Sequence, residues 1–235
     1  MICYAFPLAH EAKQILQRCT EKEQFSIDNL HCTLANFRNR RVLIALIGMG
    51  PAMAGENIKR VFQYFRPKGL ILAGYGGGLV PQLKVGQVVI STNYSSPEII
   101  PFLRLLSGFD FATFCTTDEI VGTPERRTWY ARNKHHEVVD METAAVAEVV
   151  HSRLVPFTVV RVISDDFQQV LPLGALAAGL NAETGRPTPV RLLSYLATHP
   201  GEIAPFWTFV SNLSLARNNL TRFLEQLHDD LPKSW

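Results

Sequence analysis

The stretch Val138-Val139-Asp140-Met141-Glu142-Thr143-Ala144-Ala145-Val146-Ala147 passes from a short apolar strand through two acids into an alanine-rich helix. A second stretch, Arg161-Val162-Ile163-Ser164-Asp165-Asp166, ends another apolar strand in acids. A buried carboxylate is costly unless it is hydrogen-bonded or put to use. One helix and one strand separate Glu142 from Asp165. A connection of that length allows both acids to lie at the same edge of a sheet. We therefore expect a functional site at that edge.

The strand-then-helix unit recurs along the chain. Residues 2–6 and the apolar run 42–47 are predicted strands, followed by helices over about 9–18 and from Pro51 to about Phe65. Segments around 24–35 alternate in polarity, as antiparallel edge strands do. Further strands are expected at 69–73, 87–91, 111–116, 137–139 and 157–163, and further helices at 123–133 and 142–152. This order predicts a three-layer αβα sandwich with a central mixed, largely parallel sheet.

Composition limits the class of protein. The 235 residues are enough for one sizeable domain, and the net charge of +2 with no Lys/Arg run argues against a nucleic-acid partner. Four scattered cysteines (Cys3, Cys19, Cys32 and Cys115) form no metal-binding pattern and indicate free thiols in a reducing cytoplasm. No signal peptide is visible, and the longest apolar run, residues 42–54, is too short to span a bilayer. We expect a soluble cytoplasmic protein of one domain.

Residues 186–235 are predicted to form a helical extension of that domain. One helix is expected from Arg186 to about Thr198, and a longer one from about Ile203 to Leu227, with apolar residues recurring at spacings of three and four. Phe206, Trp207 and Phe209 lie too close together for all of them to face one core. The extension therefore either covers the sheet or a neighbouring subunit, or makes a peripheral contact with a membrane.

Two glycine-containing loops follow apolar strands, at Gly48-Met49-Gly50-Pro51 and at Gly74-Tyr75-Gly76-Gly77-Gly78. Open α/β sheets bind ligands outside the carboxyl ends of their strands, and glycine lets the backbone approach a ligand closely. Neither loop is a dinucleotide fingerprint or a P-loop. Either loop alone is compatible with a tight turn, but two of them on adjacent strands favour a binding site.

These loops belong to five ordered motifs, at residues 48–51, 73–79, 83–89, 140–147 and 161–165. Together they resemble the purine nucleoside phosphorylase and methylthioadenosine/S-adenosylhomocysteine nucleosidase superfamily, over residues 1 to about 170. The tail, with Gly185-Arg186-Pro187 and His199-Pro200-Gly201-Glu202, is similar to the subgroup called hopanoid-associated phosphorylases. That resemblance implies a nucleosidase that releases adenine from adenosylhopane, without a metal or organic cofactor. It also implies a homodimer or a larger homo-oligomer.

The resemblance implies a role for each candidate residue. Asp165 would donate a proton toward the purine N7, which requires a raised pKa. Asp166 is a candidate for the neighbour that raises it, but a solvated Asp166 is the favoured alternative. Glu142 would bind the ribose hydroxyls with Met141 against the sugar, and Glu11 would activate water. The remaining expected substrate-binding residues are Gly48, Gly50, Gly76, Gly77, Ile120 and Ser164.

Structural roles compete with these functional ones. Asp165 could cap the next helix, Glu142 could serve the helix N-terminus, and Glu11 could be an exposed residue of a first helical turn. His10 is expected on the surface. Asp140 is expected to cap a helix rather than to touch substrate.

Three features decide between the enzymes of this superfamily. Its phosphorylases grip phosphate with arginines in the first loop and before the second, and this chain has neither, so hydrolysis is expected. Tyr75 replaces a small hydroxyl residue, and Ile120 lies near the position of a base-stacking aromatic. The apolar segment between Ser91 and Phe111 suits a large hydrophobic 5′ group, although it could equally be one amphipathic helix. Alternatives are a methylthioadenosine/S-adenosylhomocysteine nucleosidase, a purine nucleoside phosphorylase, and a purine-binding or storage protein.

Overall fold

The computed structural model describes residues 1–179 and 188–232. These residues form one ten-stranded sheet, with helices on both faces. The strands are β1 (Ile2–Phe6), β2 (Thr20–Ile27), β3 (Leu30–Phe37), β4 (Arg40–Leu46), β5 (Gly69–Gly78), β6 (Val88–Ser91), β7 (Asp110–Ala112), β8 (Phe114–Thr116), β9 (Val138–Asp140) and β10 (Phe157–Asp165). The helices are α1 (Ala9–Arg18), α2 (Pro51–Tyr64), α3 (Ile100–Leu103), α4 (Pro124–Lys134), α5 (Thr143–His151), α6 (Leu173–Gly179), α7 (Pro189–Thr198) and α8 (Ile203–Asp230).

The centre of the sheet is parallel. Strands β4, β1, β5 and β10 lie side by side in that order, each parallel to the next, so their carboxyl ends share one edge. The hairpin β2–β3 extends one side of the sheet in antiparallel fashion, and β6 and β9 add antiparallel pairs to β10 and β5. The predicted mixed, largely parallel sheet is confirmed.

Apolar side chains cover both faces of the sheet. Helices α2 and α5 pack together on one face, over a core that includes Leu43, Leu72 and Val159. Helices α1 and α8 pack on the other, over a core that includes Ile44, Ile71 and Val160. Because side chains alternate along a strand, adjacent residues of one strand supply opposite cores. The two layers therefore hold the central strands rigidly, and with them the edge where their carboxyl ends meet.

Some element boundaries differ from the prediction. The single strand predicted at 111–116 is two short strands, β7 and β8, because Thr113 between them donates its backbone N–H to Glu137 Oε2 (2.9 Å) instead of continuing the ladder. Helix α8 runs three residues past the predicted end at Leu227. The described part of α7 begins at Pro189, and the start predicted at Arg186 lies outside the described residues. In the part of the chain that the structure describes, no helix is both long and apolar enough to cross a membrane.

The carboxyl end of α8 is fixed to the central sheet through His228. Its Nδ1 is hydrogen-bonded to Tyr4 Oη (2.6 Å), and both side chains are fully buried. Burial, reinforced by the charge of Arg40, lowers the pKa of His228 to about 4, so the imidazole is neutral at pH 7. This contact joins the last helix to the first strand.

We expect Tyr4→Phe to lower the free energy of unfolding by about 1–3 kcal/mol, because a buried imidazole nitrogen loses its partner. Urea unfolding at pH 7 measures the change. Tyr64→Phe, which removes the hydroxyl of an exposed tyrosine on α2, is the matched control and should stay within about 0.5 kcal/mol. Equal unfolding midpoints for the two variants would contradict the assigned contact.

Candidate active site

Glu11 lies in the first turn of α1, directly after β1, and is buried rather than exposed. Its Oε2 accepts a hydrogen bond from the backbone N–H of Leu8 (2.7 Å), and its Oε1 accepts one from that of Tyr75 (2.9 Å). The carboxyl group thus joins the segment after β1 to strand β5 at Tyr75. A solvated residue of a first helical turn would have neither contact, so the exposed alternative is wrong.

Glu142 occupies the N-cap position of α5, with its side chain turned toward the first glycine loop. Its Oε1 accepts from the backbone N–H of Gly50 (3.0 Å), and its Oε2 accepts from Arg161 Nη2 (3.2 Å). Gly48 and Gly50 have φ of +83° and +87°, a conformation that side chains other than glycine rarely adopt. The loop geometry that brings an amide to Glu142 therefore depends on these two glycines.

Arg161, in the middle of β10, is a fully buried cation shared by several acids. Besides Glu142 it binds Asp140 through Nε (2.9 Å to Oδ2). Asp140 also caps α5, because its Oδ1 accepts from the backbone N–H of Thr143 (3.2 Å). The expected capping role of Asp140 is thus confirmed. The role of Arg161 was missed, although a lone arginine inside a buried apolar strand is a recognisable signal of a buried acid partner.

The environment raises the pKa values of two of these acids. Burial, opposed in part by the charge of Arg161, raises the pKa of Glu11 to about 8. Burial also raises the pKa of Glu142 above its ordinary range, again against the effect of Arg161. Carboxyl groups in such surroundings exchange protons nearer neutrality than ordinary surface acids. Raised pKa values make Glu11 and Glu142 candidates for acid–base chemistry.

Asp165 ends β10 at a bulge, where Ile163 pairs with Gly76 and Asp165 pairs with Gly77, so that Ser164 is an extra residue. The bulge brings the side chains of Ser164 and Asp165 together, and Ser164 Oγ donates a hydrogen bond to Asp165 Oδ1 (2.5 Å). Asp165 is buried, whereas Asp166 is half-buried and accepts from the backbone N–H of Gln168 (3.1 Å), as a turn residue does.

The charged partner of Asp165 is Arg127, not Asp166. Arg127 Nη2 lies 2.5 Å from Asp165 Oδ2, and its Nη1 donates to the carbonyl oxygens of Gly78 (3.1 Å) and Asp165 (3.3 Å). Asp166 does not contact Asp165 as a charged neighbour, because it serves the turn that follows β10, in line with the favoured alternative of a solvated side chain. Arg127 comes from α4 and is fully buried, but its Glu-Arg-Arg context is typical of a solvated helix, so its sequence gave no signal.

The segment predicted as a second glycine loop is part of strand β5, which continues to Gly78 because its glycines pair with β9 and β10. These glycines make room for the acidic side chains. A Cβ built on Gly77 would lie 3.0 Å from Asp165 Oδ2, and one on Gly76 would lie 2.9 Å from Val138 Cγ1. Met141 is half-buried beside Glu142. Ile120 lies in the loop between β8 and α4 and is 47% exposed, so its side chain is largely open to solvent. In residues 1–179 and 188–232, no group of three or more His, Cys, Asp or Glu side chains is placed to hold a metal ion.

Comparison with known proteins gives a consistent family. A family model described as Phosphorylase superfamily matches residues 2–105 and 108–183. A 5′-methylthioadenosine/S-adenosylhomocysteine nucleosidase from Actinobacillus succinogenes is 26% identical, with 72% of this chain and 90% of the relative covered. One from Bacillus velezensis is also 26% identical, with 67% and 82% covered.

Two solved structures share the fold. An S-adenosylhomocysteine nucleosidase from Streptococcus pyogenes, in complex with 5-methylthiotubericidin, superposes with a TM-score of 0.75 at 15% identity, covering 98% of this chain and 97% of that one. The native futalosine hydrolase of Helicobacter pylori gives a TM-score of 0.75 at 16% identity, with the same coverage. The predicted fold class and superfamily resemblance are thereby confirmed.

Proposed function

Because the chain belongs to the Phosphorylase superfamily, we propose that it is an N-glycosidase that hydrolyses the bond between adenine and ribose in an adenosine-containing substrate. The main supporting observation is the set of three buried acids, Glu11, Glu142 and Asp165, where β1, β5 and β10 end. Cleavage of this bond leaves positive charge on the sugar and negative charge on the departing base. A base-side acid, a sugar-side carboxylate and a water activator meet these needs.

Asp165 is the proposed proton donor to the base. Asp165 is paired with Arg127 in the structure, so it would take up a proton from water when substrate binds and pass that proton to the purine N7, which restores the carboxylate. Arg127 and Ser164 both donate to its two oxygens, so they stabilise the charge that remains. Their hydrogen bonds also fix the orientation of the carboxyl group before the base departs.

Glu142 is the proposed ribose ligand. Its Oε1 accepts a hydrogen bond from the backbone N–H of Gly50, and its Oε2 accepts one from Arg161. These contacts hold the carboxylate at the N-terminus of α5, with Met141 beside it. A carboxylate there accepts hydrogen bonds from sugar hydroxyls and stabilises positive charge as it develops on the ring. Gly48 and Gly50 let the backbone come close to the sugar.

Glu11 is the proposed activator of water. Arg161 Nη1 is buried without a hydrogen-bond partner among the described residues. It packs against Gly74 together with Glu11 Oε1, since a Cβ built on Gly74 would lie 2.4 Å from Nη1 and 2.8 Å from Oε1. A water molecule between them would be oriented by the guanidinium and deprotonated by the carboxylate.

Water is favoured over phosphate as the nucleophile. Arg127 and Arg161 are each ion-paired with buried carboxylates, so their positive charge is already balanced within the protein, although Arg161 Nη1 makes no hydrogen bond. A phosphorylase needs cations that the protein leaves available to the anion. The charge balance of this site therefore favours hydrolysis.

The favoured substrate carries a large apolar 5′ group, as in adenosylhopane. The loop that carries Ile120 is hydrogen-bonded to the segment before α6 (Leu171 N to Gly122 O, 2.9 Å). Beyond it, Glu202 binds α6 and α7 through Ala175 N and Tyr195 Oη, which makes these helices and the start of α8 one unit. That unit exposes large apolar side chains, namely Leu173, Val190, Leu193, Ile203 and Trp207. An apolar surface next to the site suits a lipid-linked nucleoside.

A substrate panel tests this proposal. We expect adenine release from adenosylhopane, presented in detergent, in phosphate-free buffer, with free ribosyl product and a higher kcat/KM than for methylthioadenosine or adenosine. Chromatography of the base and the sugar product measures both. Turnover that requires phosphate and yields a sugar 1-phosphate would identify a phosphorylase instead.

A second candidate is hydrolysis of the small 5′-thio nucleosides methylthioadenosine and S-adenosylhomocysteine. The supporting observation is that the curated relatives described above are named as nucleosidases for these compounds. Tyr75 and the exposed position of Ile120 argue for a different 5′ and base environment. If methylthioadenosine exceeds adenosylhopane in kcat/KM in the same panel, this second candidate is correct.

A further inference from the structure

The loop between β8 and α4 (residues 117–123), here called the base-side loop, borders both acidic ends of the proposed site. At its start, the backbone N–H of Thr117 donates to the carbonyl oxygen of Asp140 (2.9 Å), the last residue of β9. Near its end, the carbonyl oxygen of Gly122 accepts from the backbone N–H of Leu171 (2.9 Å), in the segment after β10. The loop is therefore held between the strand that leads to the proposed ribose ligand and the strand that ends in the proposed proton donor.

Helix α4 follows this loop and is anchored at the proton donor. Within Pro124–Lys134, which the structure describes completely, Arg127 alone is buried, and it pairs with Asp165. Tyr130 and Ala131 add partly buried contacts with a small apolar cluster. A helix held by so few contacts takes its position from them. A side chain that fastens the loop to α4 therefore also sets the position of the loop relative to the proton donor.

Glu119 fastens the base-side loop to α4. Its Oε1 accepts a hydrogen bond from Tyr130 Oη (2.9 Å) and is ion-paired with Arg126 Nη2. Because the Tyr130 hydroxyl proton is given to Glu119, Thr117 Oγ1 donates to Tyr130 Oη (3.1 Å). Thr117 Oγ1 in turn accepts from the backbone N–H of Glu119 (3.3 Å). These hydrogen bonds close a ring that starts and ends at Glu119.

The cation of this group is held in place by two aromatic rings. Arg126 Cζ lies 5.7 Å from the ring centres of both Trp129 and Tyr130. Hydrogen bonds from Tyr130 and Arg126 lower the pKa of Glu119. An isolated exposed ion pair contributes little to stability, whereas a carboxylate shared by several oriented donors restricts the loop that carries it. We call these four residues the Glu119 network: Thr117, Glu119, Arg126 and Tyr130.

We propose that Glu119 is a positioning residue, which keeps the base-side loop closed beside Asp165 before the substrate arrives. The inference rests on the proposed N-glycosidase function, because the loop then forms the wall of the site that receives the adenine base. Glu119 acts through the loop and α4 and needs no contact with the substrate. If the loop were not fastened, binding of the base would have to order it, and the affinity would fall by the cost of that ordering.

Amide hydrogen exchange, followed by mass spectrometry, tests the network without catalysis. Loop amides exchange through local openings, so the exchange rate reports how often the loop opens. We expect Glu119→Ala to speed exchange of the peptide that covers residues 118–122 by about 10-fold, since charge-assisted hydrogen bonds are lost. Asp118→Ala removes the adjacent exposed acid, which lies outside the network, and should keep the wild-type rate. Circular dichroism verifies that each variant folds.

Steady-state kinetics test the positioning role, with the substrate of the panel that the wild-type protein cleaves fastest. We expect Glu119→Ala to raise KM about 10-fold, because the apparent affinity falls with the fraction of molecules whose loop is closed. The value of kcat should stay within about twofold, since the three acids of the site are unchanged once the loop has closed. Asp118→Ala should match the wild-type protein in both constants. A merely structural role would change neither.

A double variant tests whether the residues act as one network. Tyr130→Phe removes the hydroxyl group that donates to Glu119 and should raise KM less than Glu119→Ala does. The variant Glu119→Ala/Tyr130→Phe should equal Glu119→Ala alone, because partners in one network do not have additive effects. Multiplied effects on KM would refute the shared network.

Two results overturn the proposal: equal exchange rates in Glu119→Ala and Asp118→Ala, or faster exchange in Glu119→Ala with an unchanged KM. If the wild-type protein cleaves no nucleoside of the panel, the N-glycosidase proposal fails by itself. Titration calorimetry with adenine then replaces the kinetics. The dissociation constant of adenine should rise about 10-fold in Glu119→Ala and stay at the wild-type value in Asp118→Ala. Equal adenine affinities would refute the positioning role.

Discussion

Asp165→Asn should reduce kcat/KM for adenine release by about 10²- to 10⁴-fold, because an amide cannot deliver a proton to the departing base. The amide keeps the shape of the carboxyl group and retains one oxygen for Ser164 or Arg127. Steady-state release of adenine at pH 7 measures the loss. Retention of full activity would refute the assignment of Asp165 as the acid, whatever the substrate proves to be.

Two further variants separate chemistry from folding. Asp166→Asn removes the neighbouring acid, which serves only a turn, and should keep near wild-type activity. Asp165→Asn leaves Arg127 as a buried cation without its anion, which costs about 3–5 kcal/mol of stability. The double variant Asp165→Asn/Arg127→Met removes both charges, so we expect it to recover stability but not activity. Recovery of activity would mean that the acid acts only structurally.

The pH dependence of the reaction should show the raised pKa of Glu11. A base works only in its ionised form, and burial raises the pKa of this carboxyl group to about 8. Below that pH the ionised fraction falls about tenfold per unit. The logarithm of kcat/KM should therefore rise with a slope of about one up to pH 8 and then level off. A profile measured from pH 5.5 to 9 in constant ionic strength tests this.

Glu11→Gln should lower kcat/KM by about 10²- to 10⁴-fold and abolish the rise toward pH 8. Glu148→Gln, which changes an exposed acid on α5, is the matched control and should preserve both the rate and the profile. A Glu11→Gln variant that is slow but keeps the rise would assign the titration to another group, such as Glu142. The profile thus distinguishes a catalytic role from a merely structural one.

These experiments also decide the non-enzymatic alternative. A purine-binding or storage protein would bind adenine without releasing it from any nucleoside, and neither acid variant would then change a rate. The set of buried acids, and the packing of Glu11 and Arg161 side by side against Gly74, favour an enzyme. The homo-oligomer and the peripheral membrane contact expected from the sequence stay predictions, to be tested by sedimentation and by vesicle co-flotation.

The sequence by itself determined the layered fold and most of the acids of the site. Apolar runs broken by glycine loops identify strands and their carboxyl ends, since burial patterns and backbone freedom are local properties. Glu142 and Asp165 were recognisable because each acid lies at or within two residues of the end of such a strand. Asp140 was recognisable as a helix cap for the same reason.

Only the tertiary structure decided which charges meet. Arg127 reaches Asp165 from a helix 38 residues earlier in the chain, in a context typical of a solvated surface. Asp166, the sequence neighbour, does not take part, because the bulge at Ser164 turns Asp165 inward while Asp166 enters the next turn. Charge pairing depends on distances across the fold, which sequence spacing does not specify. The acids could thus be identified from the sequence, whereas their cationic partners could be identified only from the packed structure.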